Sequence, residues 1–135
     1  MIWLTDNDIR MQIRNTVLQQ IIEQNTDLLN QAELASLSEI ESYLRDKYNV
    51  AAIWASQAEE RNALLVVYAV DILLYHLHSR INPNQIPDLR IKRYDDAIAY
   101  LKAIAKGSIS IQLPLQESSS YTDKFGIGSN ARRKN

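Results

Sequence analysis

The side chains best suited to chemistry lie in one apolar stretch, which contains Asp71, His76 and His78. His76 and His78 are two positions apart, about 200° around a helix, so they cannot ligate one metal from one face. Asp71, Tyr75 and His78 do share a face, and a proton-transfer site is the alternative reading there. We instead predict that Asp71 is a structural buried charge, because an unpaired charge in an apolar helix is costly and calls for an arginine partner. The candidate partners are Arg90, Arg93 and Arg45.

The motifs of the common enzyme classes are missing from the sequence. It has no cysteine, which excludes thiolate zinc sites, iron-sulfur clusters and a cysteine nucleophile. Glycines at 107, 126 and 128 alone cannot form a phosphate-binding loop, and the serines at 118 to 120 have no nearby base. We therefore predict no catalytic, cofactor-binding or metal-binding residues, and a protein that is not an enzyme.

Length and composition indicate one helical domain. A chain of 135 residues suits a single core, and only 3 Gly and 3 Pro argue against a turn-rich β sandwich. No secretory signal is expected, because Asp6 and Asp8 interrupt the apolar start of the chain. The most apolar segment, residues 64 to 77, is shorter than the roughly 20 residues that cross a membrane. It is typical of a buried core helix, and no membrane partner is expected.

Capping residues and periodicity predict an all-α bundle of about four to five helices. A first helix starts near Asp6 and runs to about Gln24, continuous or broken, and a second covers residues 30 to 48 with Asn30 as its cap. Residues 49 to 58 are predicted to be a connection in which Trp54 packs into the core, with contact to a partner as the alternative. The third helix, residues 59 to 80, is apolar on nearly every side and should be central or should meet another subunit.

The fourth helix spans residues 87 to 106, with Pro87 as its first residue and Gly107 as its stop. Helical spacing predicts its buried stripe and that of the second helix. The fourth helix is expected to bury Ile91, Tyr94, Ile98, Leu101 and Ala105, and the second Leu34, Leu37, Ile40, Leu44 and Tyr48. The second helix is expected to expose Glu33, Glu39, Glu41, Arg45 and Asp46 to solvent.

The helical domain is predicted to end at residue 107, and residues 108 to 135 form an extended C-terminal tail that orders poorly alone. Residues 1 to 107 carry a net charge of −3 and the tail carries +2, consistent with −1 for the chain. The tail contains enough apolar and basic side chains to dock on a partner. The predicted partner-binding residues are Ile109, Ile111, Leu113, Leu115, Tyr121, Phe125, Arg132, Arg133 and Lys134.

A DNA-binding regulatory or packaging accessory protein is the alternative hypothesis. It would use the fourth helix and the tail, but the basic residues of that helix are offset by Asp88, Asp95 and Asp96, which makes its reading of a DNA groove doubtful. Those basic residues are Arg90, Lys92, Arg93, Lys102 and Lys106. A net charge of −1 also gives no chain-wide basic field for nucleic acid.

An ordered set of motifs resembles the head-to-tail connector (adaptor or neck) proteins of tailed bacteriophages, in particular a Mu-like phage family of formerly unknown function. Its core is residues 70 to 107, where an Asp-bearing helix ends in Tyr75-His76-Leu77-His78. The break at Pro83 and Pro87 follows, then Arg93-Tyr94-Asp95-Asp96-Ala97 and Leu101 to Gly107. Leu4-Thr5 and Tyr43-Leu44-Arg45 extend the resemblance to residues 3 to 113.

This resemblance implies a structural virion protein in the neck between capsid and tail, made in the cytoplasm of the bacterial host. Similar proteins form a ring with themselves, commonly a dodecamer, that docks on the portal protein, extends the DNA channel and provides a platform for a downstream neck or tail protein. DNA would pass through the channel without sequence-specific binding. The resemblance also implies that the C-terminal tail reaches into the portal, and it implies no cofactor.

Overall fold

Helices account for most of the chain that the structure, a computed structural model, describes, namely residues 1–116. The six α-helices are α1 (Asp6–Arg10), α2 (Asn15–Ile22), α3 (Thr26–Leu44), α4 (Val50–Ala55), α5 (Ala63–Ile81) and α6 (Asp88–Lys106). A single 3-10 turn, Ala58–Glu60, lies between α4 and α5. The predicted all-α class is confirmed.

Side-chain caps fix where the helices begin, and they correct three of the predicted boundaries. Asn25, rather than Asn30, caps α3, since its side chain accepts from the backbone N–H of Asp27. Asn49 caps α4 in the same way through Ala52, so a helix forms where a connection was predicted. The cap of α5 is Asn62, which accepts from Leu65, so this helix begins at Ala63 and not at residue 59. An asparagine followed by a helical pattern was thus the decisive local signal.

The first predicted helix is broken into α1 and α2. The capping box of α1 is present as predicted, with Thr5 and Asp8 each bonding the other's backbone N–H. Between α2 and α3, Glu23 and Gln24 both have positive φ, which turns the chain sharply. At the other end of the bundle Pro87 is the N-cap of α6 rather than its first residue, and Gly107 ends the helix with φ of 81°.

The core is built around α5, which packs against both α3 and α6 and also contacts α1 and α2, while α3 and α6 touch each other as well. Ile72, Leu73 and Leu74 are fully buried on it, and Leu101 and Ile104 of α6 are fully buried against the same core. By length and composition alone α5 could cross a membrane, since its most apolar window has a mean hydropathy of 1.4. Half of that window is buried inside the protein, as in the central helix of a bundle.

In α3 and α6 the buried face is rotated about the helix axis relative to the predicted one. On α3, Leu34 is 55% exposed, whereas Glu33, predicted to face solvent, is buried. On α6, Ile91 is exposed and Ala105 also faces solvent, while Arg90 and Ala97 are buried. In each helix the inward face includes a charged residue, Glu33 or Arg90, which a hydrophobic pattern cannot identify.

The packed chain continues beyond Gly107, the predicted end of the helical domain. Residues 108 to 116 run in an extended path back across the body, and Ile111 and Leu113 pack against the core. Leu115 forms an isolated antiparallel bridge with Tyr48, flanked by backbone hydrogen bonds from Asn49 to Pro114 and from Gln116 to Lys47. Two of the alternating apolar residues of this segment, Ile111 and Leu113, therefore cover its own bundle.

Replacing a core leucine of α5 should cost far more stability than replacing the exposed leucine of α3. We expect Leu74→Ala to lower the free energy of unfolding by about 2–5 kcal/mol, because Leu74 is fully buried and the substitution leaves a cavity. Leu34→Ala, at a side chain 55% exposed, should cost less than about 1 kcal/mol. Urea denaturation of both variants measures this, and equal losses would contradict the packing described here.

Candidate functional site

The buried charge Asp71 lies beside Arg90 of α6. The Arg90 Nη1 atom is 3.9 Å from the Asp71 Oδ1 atom, and both side chains are less than a tenth exposed. Arg90 also donates through Nη2 to the backbone carbonyl of Gln12 at 3.0 Å, and Arg93 donates to the Gln12 side chain at 2.6 Å. The third candidate partner, Arg45, is exposed at the end of α3. This cluster joins α5, α6 and the linker between α1 and α2.

Burial dominates the electrostatics of this cluster. It raises the pKa of Asp71 from 3.8 to about 6, against the lowering effect of Arg93 and Arg90. The separation of 3.9 Å is too long for a hydrogen bond, and neither Asp71 Oδ1 nor Arg90 Nη1 has a hydrogen-bond partner. Burial, with a contribution from Arg90, also lowers the pKa of His78. The cluster therefore holds helices together while its carboxylate is incompletely stabilised.

A second polar cluster joins all three long helices and could not be seen in the sequence. Glu39 of α3 accepts from the Tyr94 hydroxyl at 2.6 Å and lies 3.1 Å from His76 Nε2. Tyr94 stacks on Tyr75 with ring centroids 4.0 Å apart. Burial and the hydrogen bond to Glu39 raise the pKa of Tyr94 far above its usual range. Glu39 was predicted to be a solvated charge, but it is half-buried and accepts hydrogen bonds in this network.

Glu33 fixes the first residues of the chain against α3. Its carboxylate is 1% exposed and accepts the backbone N–H groups of Ile2, Trp3 and Leu4 at 2.7, 2.9 and 2.7 Å. Three charge-assisted bonds compensate for the burial of the charge. Sequence reasoning missed this role, because the donors are backbone groups some 30 positions away.

Trp3 anchors the same N-terminal segment from the other side. Its ring contacts Trp54 edge to face, with centroids 5.0 Å apart, so Trp54 packs on the core as predicted. Arg61 lies over the Trp3 ring, donates to the Trp3 carbonyl and forms a two-pronged pair with Asp8. Burial pushes the pKa of Asp8 up, but the bonds from Arg61 and Thr5 outweigh it and lower that pKa. These contacts attach the N-terminal segment to the helical body.

The predicted partner-binding residues are divided by the structure into three groups. Ile111 and Leu113 are partly buried against the protein's own core, so their apolar faces are used within the chain. Ile109 and Leu115 are 36% and 60% exposed and present free apolar surface. The remaining five lie outside the described residues: Tyr121, Phe125, Arg132, Arg133 and Lys134.

Comparison with known proteins gives one family. The model of the family described as "Bacteriophage Mu, Gp36" matches residues 2–126. This range covers the whole helical body, the extended segment after Gly107 and ten further residues. Searches of the curated proteins and of the solved structures found no match.

Removing the charge of Glu33 should destabilise the body. In Glu33→Gln an amide NH₂ group takes the place of one acceptor oxygen beside three backbone donors, so we expect a loss of about 1–3 kcal/mol in the free energy of unfolding. Glu41→Gln, on the same helix and half-exposed, is the matched control and should change stability by less than about 0.5 kcal/mol. Denaturant unfolding compares the two, and equal stability of the variants would show that the Glu33 bonds contribute nothing.

Asp71 should make the protein relatively more stable in mild acid. Its pKa is raised on folding, so its stabilising contribution is complete below 3.8 and is lost as the pH rises through about 6. The free energy of unfolding of the wild type, minus that of Asp71→Asn, should therefore increase by ~1–2 kcal/mol between pH 7 and pH 5. His78 is common to both proteins, so its opposite effect largely cancels. If the difference in unfolding free energy between the two proteins stays constant with pH, the raised pKa of Asp71 is refuted.

Proposed function

Because the chain belongs to the bacteriophage Mu Gp36 family, we infer that it is a structural or morphogenesis protein of a tailed phage. We propose, more specifically, that it is a subunit of the head-to-tail connector ring in the neck of the virion. In this role it docks on the portal protein, extends the DNA channel and carries the next neck or tail component. The proposed role is structural, without catalysis or a cofactor.

The observation that carries the proposal is the extended segment after α6. Residues 108 to 116 follow the surface of the body, and Leu115 near their end is 60% exposed. The sequence that follows this segment contains Tyr121, Phe125 and the basic group at 132 to 134. A folded body joined to a sequence with apolar and basic side chains is suited to binding a larger neighbour.

Exposed apolar side chains on the body also support association with further copies. Leu64 and Val67 of α5 are 42% and 36% exposed, although α5 is otherwise the central core helix. They lie one helical turn apart and so form a small apolar face at the N-terminal end of α5. Head-to-tail packing of identical subunits in a closed ring would cover such a face in every copy.

The charge distribution is compatible with a channel for DNA. Residues 1 to 107 carry −3, which repels DNA mildly and would let it slide rather than bind. The alternative, a DNA-binding regulatory or packaging accessory protein, receives less support from α6. Its exposed face carries both signs, and Lys92 is paired with Asp96 at 3.1 Å. A face of this kind offers few free cations to phosphates.

Truncation should separate folding from attachment to the portal. A chain ending at Gln116 keeps the described body, so its thermal unfolding midpoint should be unchanged. Its binding to purified portal assemblies in a co-sedimentation assay should fall by more than tenfold, because the terminal apolar and basic residues are gone. Electron microscopy of the full chain with the portal should show a ring.

A control variant tests the three basic residues apart from the rest of the tail. It carries Arg132→Ala, Arg133→Ala and Lys134→Ala together in the full chain. If the truncated protein binds the portal as well as the full chain does, the tail has no docking role. Strong DNA retardation in a gel at ~50 mM salt that disappears at ~300 mM, without any ring, would favour the DNA-binding alternative.

A further inference from the structure

A defined set of hydrogen bonds holds residues 110 to 116, the strap, against the body. The strap lies in a slot formed by the backbone of residues 45 to 49 and the side chain of Asn62. Two backbone bonds join Asn49 to Pro114 at 2.8 Å and Gln116 to Lys47 at 3.1 Å. The Gln116 side chain donates to the Arg45 carbonyl at 2.6 Å, and Asn62 donates to the carbonyl of residue 112 at 3.3 Å.

These bonds do not depend on the strap and the slot being in one chain. Their partners are 50 to 71 positions apart in sequence, and the slot side consists mainly of main-chain groups of the body. Every large side chain that is fully buried in the described residues lies between Ile9 and Ile104. The strap adds only the partly buried Ile111 and Leu113 to this core. A second copy of the strap would therefore make the same contacts.

The connection between the body and the strap allows such an exchange. Gly107 ends α6 with φ of 81°, a conformation that glycine adopts without strain, and the chain leaves the helix there. Residues 108 to 110 are exposed and can span roughly 10 Å when extended. The slot itself needs an occupant, because Tyr48 is 2% exposed and is bridged by Leu115.

We propose that, in the assembled ring, the strap of each subunit occupies the slot of the next subunit. The proposal rests on the ring of the proposed function and names the surface that links its copies. Exchange conserves the bonds within the slot, so it costs little once neighbours are close. A closed ring fills every slot, and it connects each portal-directed tail to two bodies instead of one. Tension on one tail is thereby shared between subunits.

The absence of cysteine from the chain allows a direct test. Lys47 and Gln116 are both exposed and lie opposite each other in the antiparallel pair, at a separation of roughly 5.5 Å between Cα atoms that a disulfide can bridge. The test mixes Lys47→Cys protein with Gln116→Cys protein, assembles them with the portal and oxidises them. Exchange predicts a covalent dimer whose linked peptides contain positions 47 and 116. The double variant should give a ladder of covalent oligomers.

The matched control replaces Lys47→Cys by Lys102→Cys, which is exposed on α6 outside the slot and should give no specific dimer with Gln116→Cys. If a ring is visible by electron microscopy but the double variant forms only intramolecular disulfides and the mixture no dimer, exchange is refuted and the ring stands. If no ring forms with or without the portal, the proposed function and the exchange both fail.

Discussion

Burial of α5 is the constraint on which the rest of the structure depends. A helix that is apolar on most sides must be covered on most sides, and α3, α6, α1 and α2 all pack against it. Asp71 lies in the middle of this helix, so covering α5 also requires a cation that can reach its centre. Arg90 supplies that cation and simultaneously bonds the carbonyl of Gln12. One arginine thus connects the buried carboxylate of α5 to α6 and to the α1–α2 linker.

The two buried acids illustrate different solutions to the same cost. Glu33 accepts three backbone N–H groups at 2.9 Å or less, so its charge is stabilised by short hydrogen bonds. Asp71 has a guanidinium at 3.9 Å and a pKa raised to about 6. The Glu33 bonds hold residues 2 to 4 in place, whereas the Asp71–Arg90 pair offsets only part of the desolvation cost of the Asp71 carboxylate. Asp71 is thus the weaker point of the body, and Glu33 one of its firm ones.

Most of what the sequence predicted correctly rests on local signals. The helix class, the central α5, the Thr5–Asp8 capping box, the stop at Gly107 and the core position of Trp54 follow from spacing and from capping chemistry within a few residues. The predicted start of α3 was wrong, because Asn25 and Asn30 are equally plausible caps by residue type. The role of Glu33 and the Glu39–Tyr94 bond were not predictable, because their partners are brought together only by tertiary packing. The same holds for the strap, whose alternating apolar residues indicated docking but not on which surface.

The segment after α6 packs on its own body and so belongs to the folded unit. Because Ile111 and Leu113 take part in that packing, the conformational entropy of the segment is already lost when the body folds. The anchor is nevertheless made of main-chain bonds at the periphery, since Leu115 remains mostly exposed and the fully buried core does not include it. The attachment of residues 110 to 116 therefore rests on main-chain hydrogen bonds and two partly buried side chains, whereas the helices are held by fully buried ones.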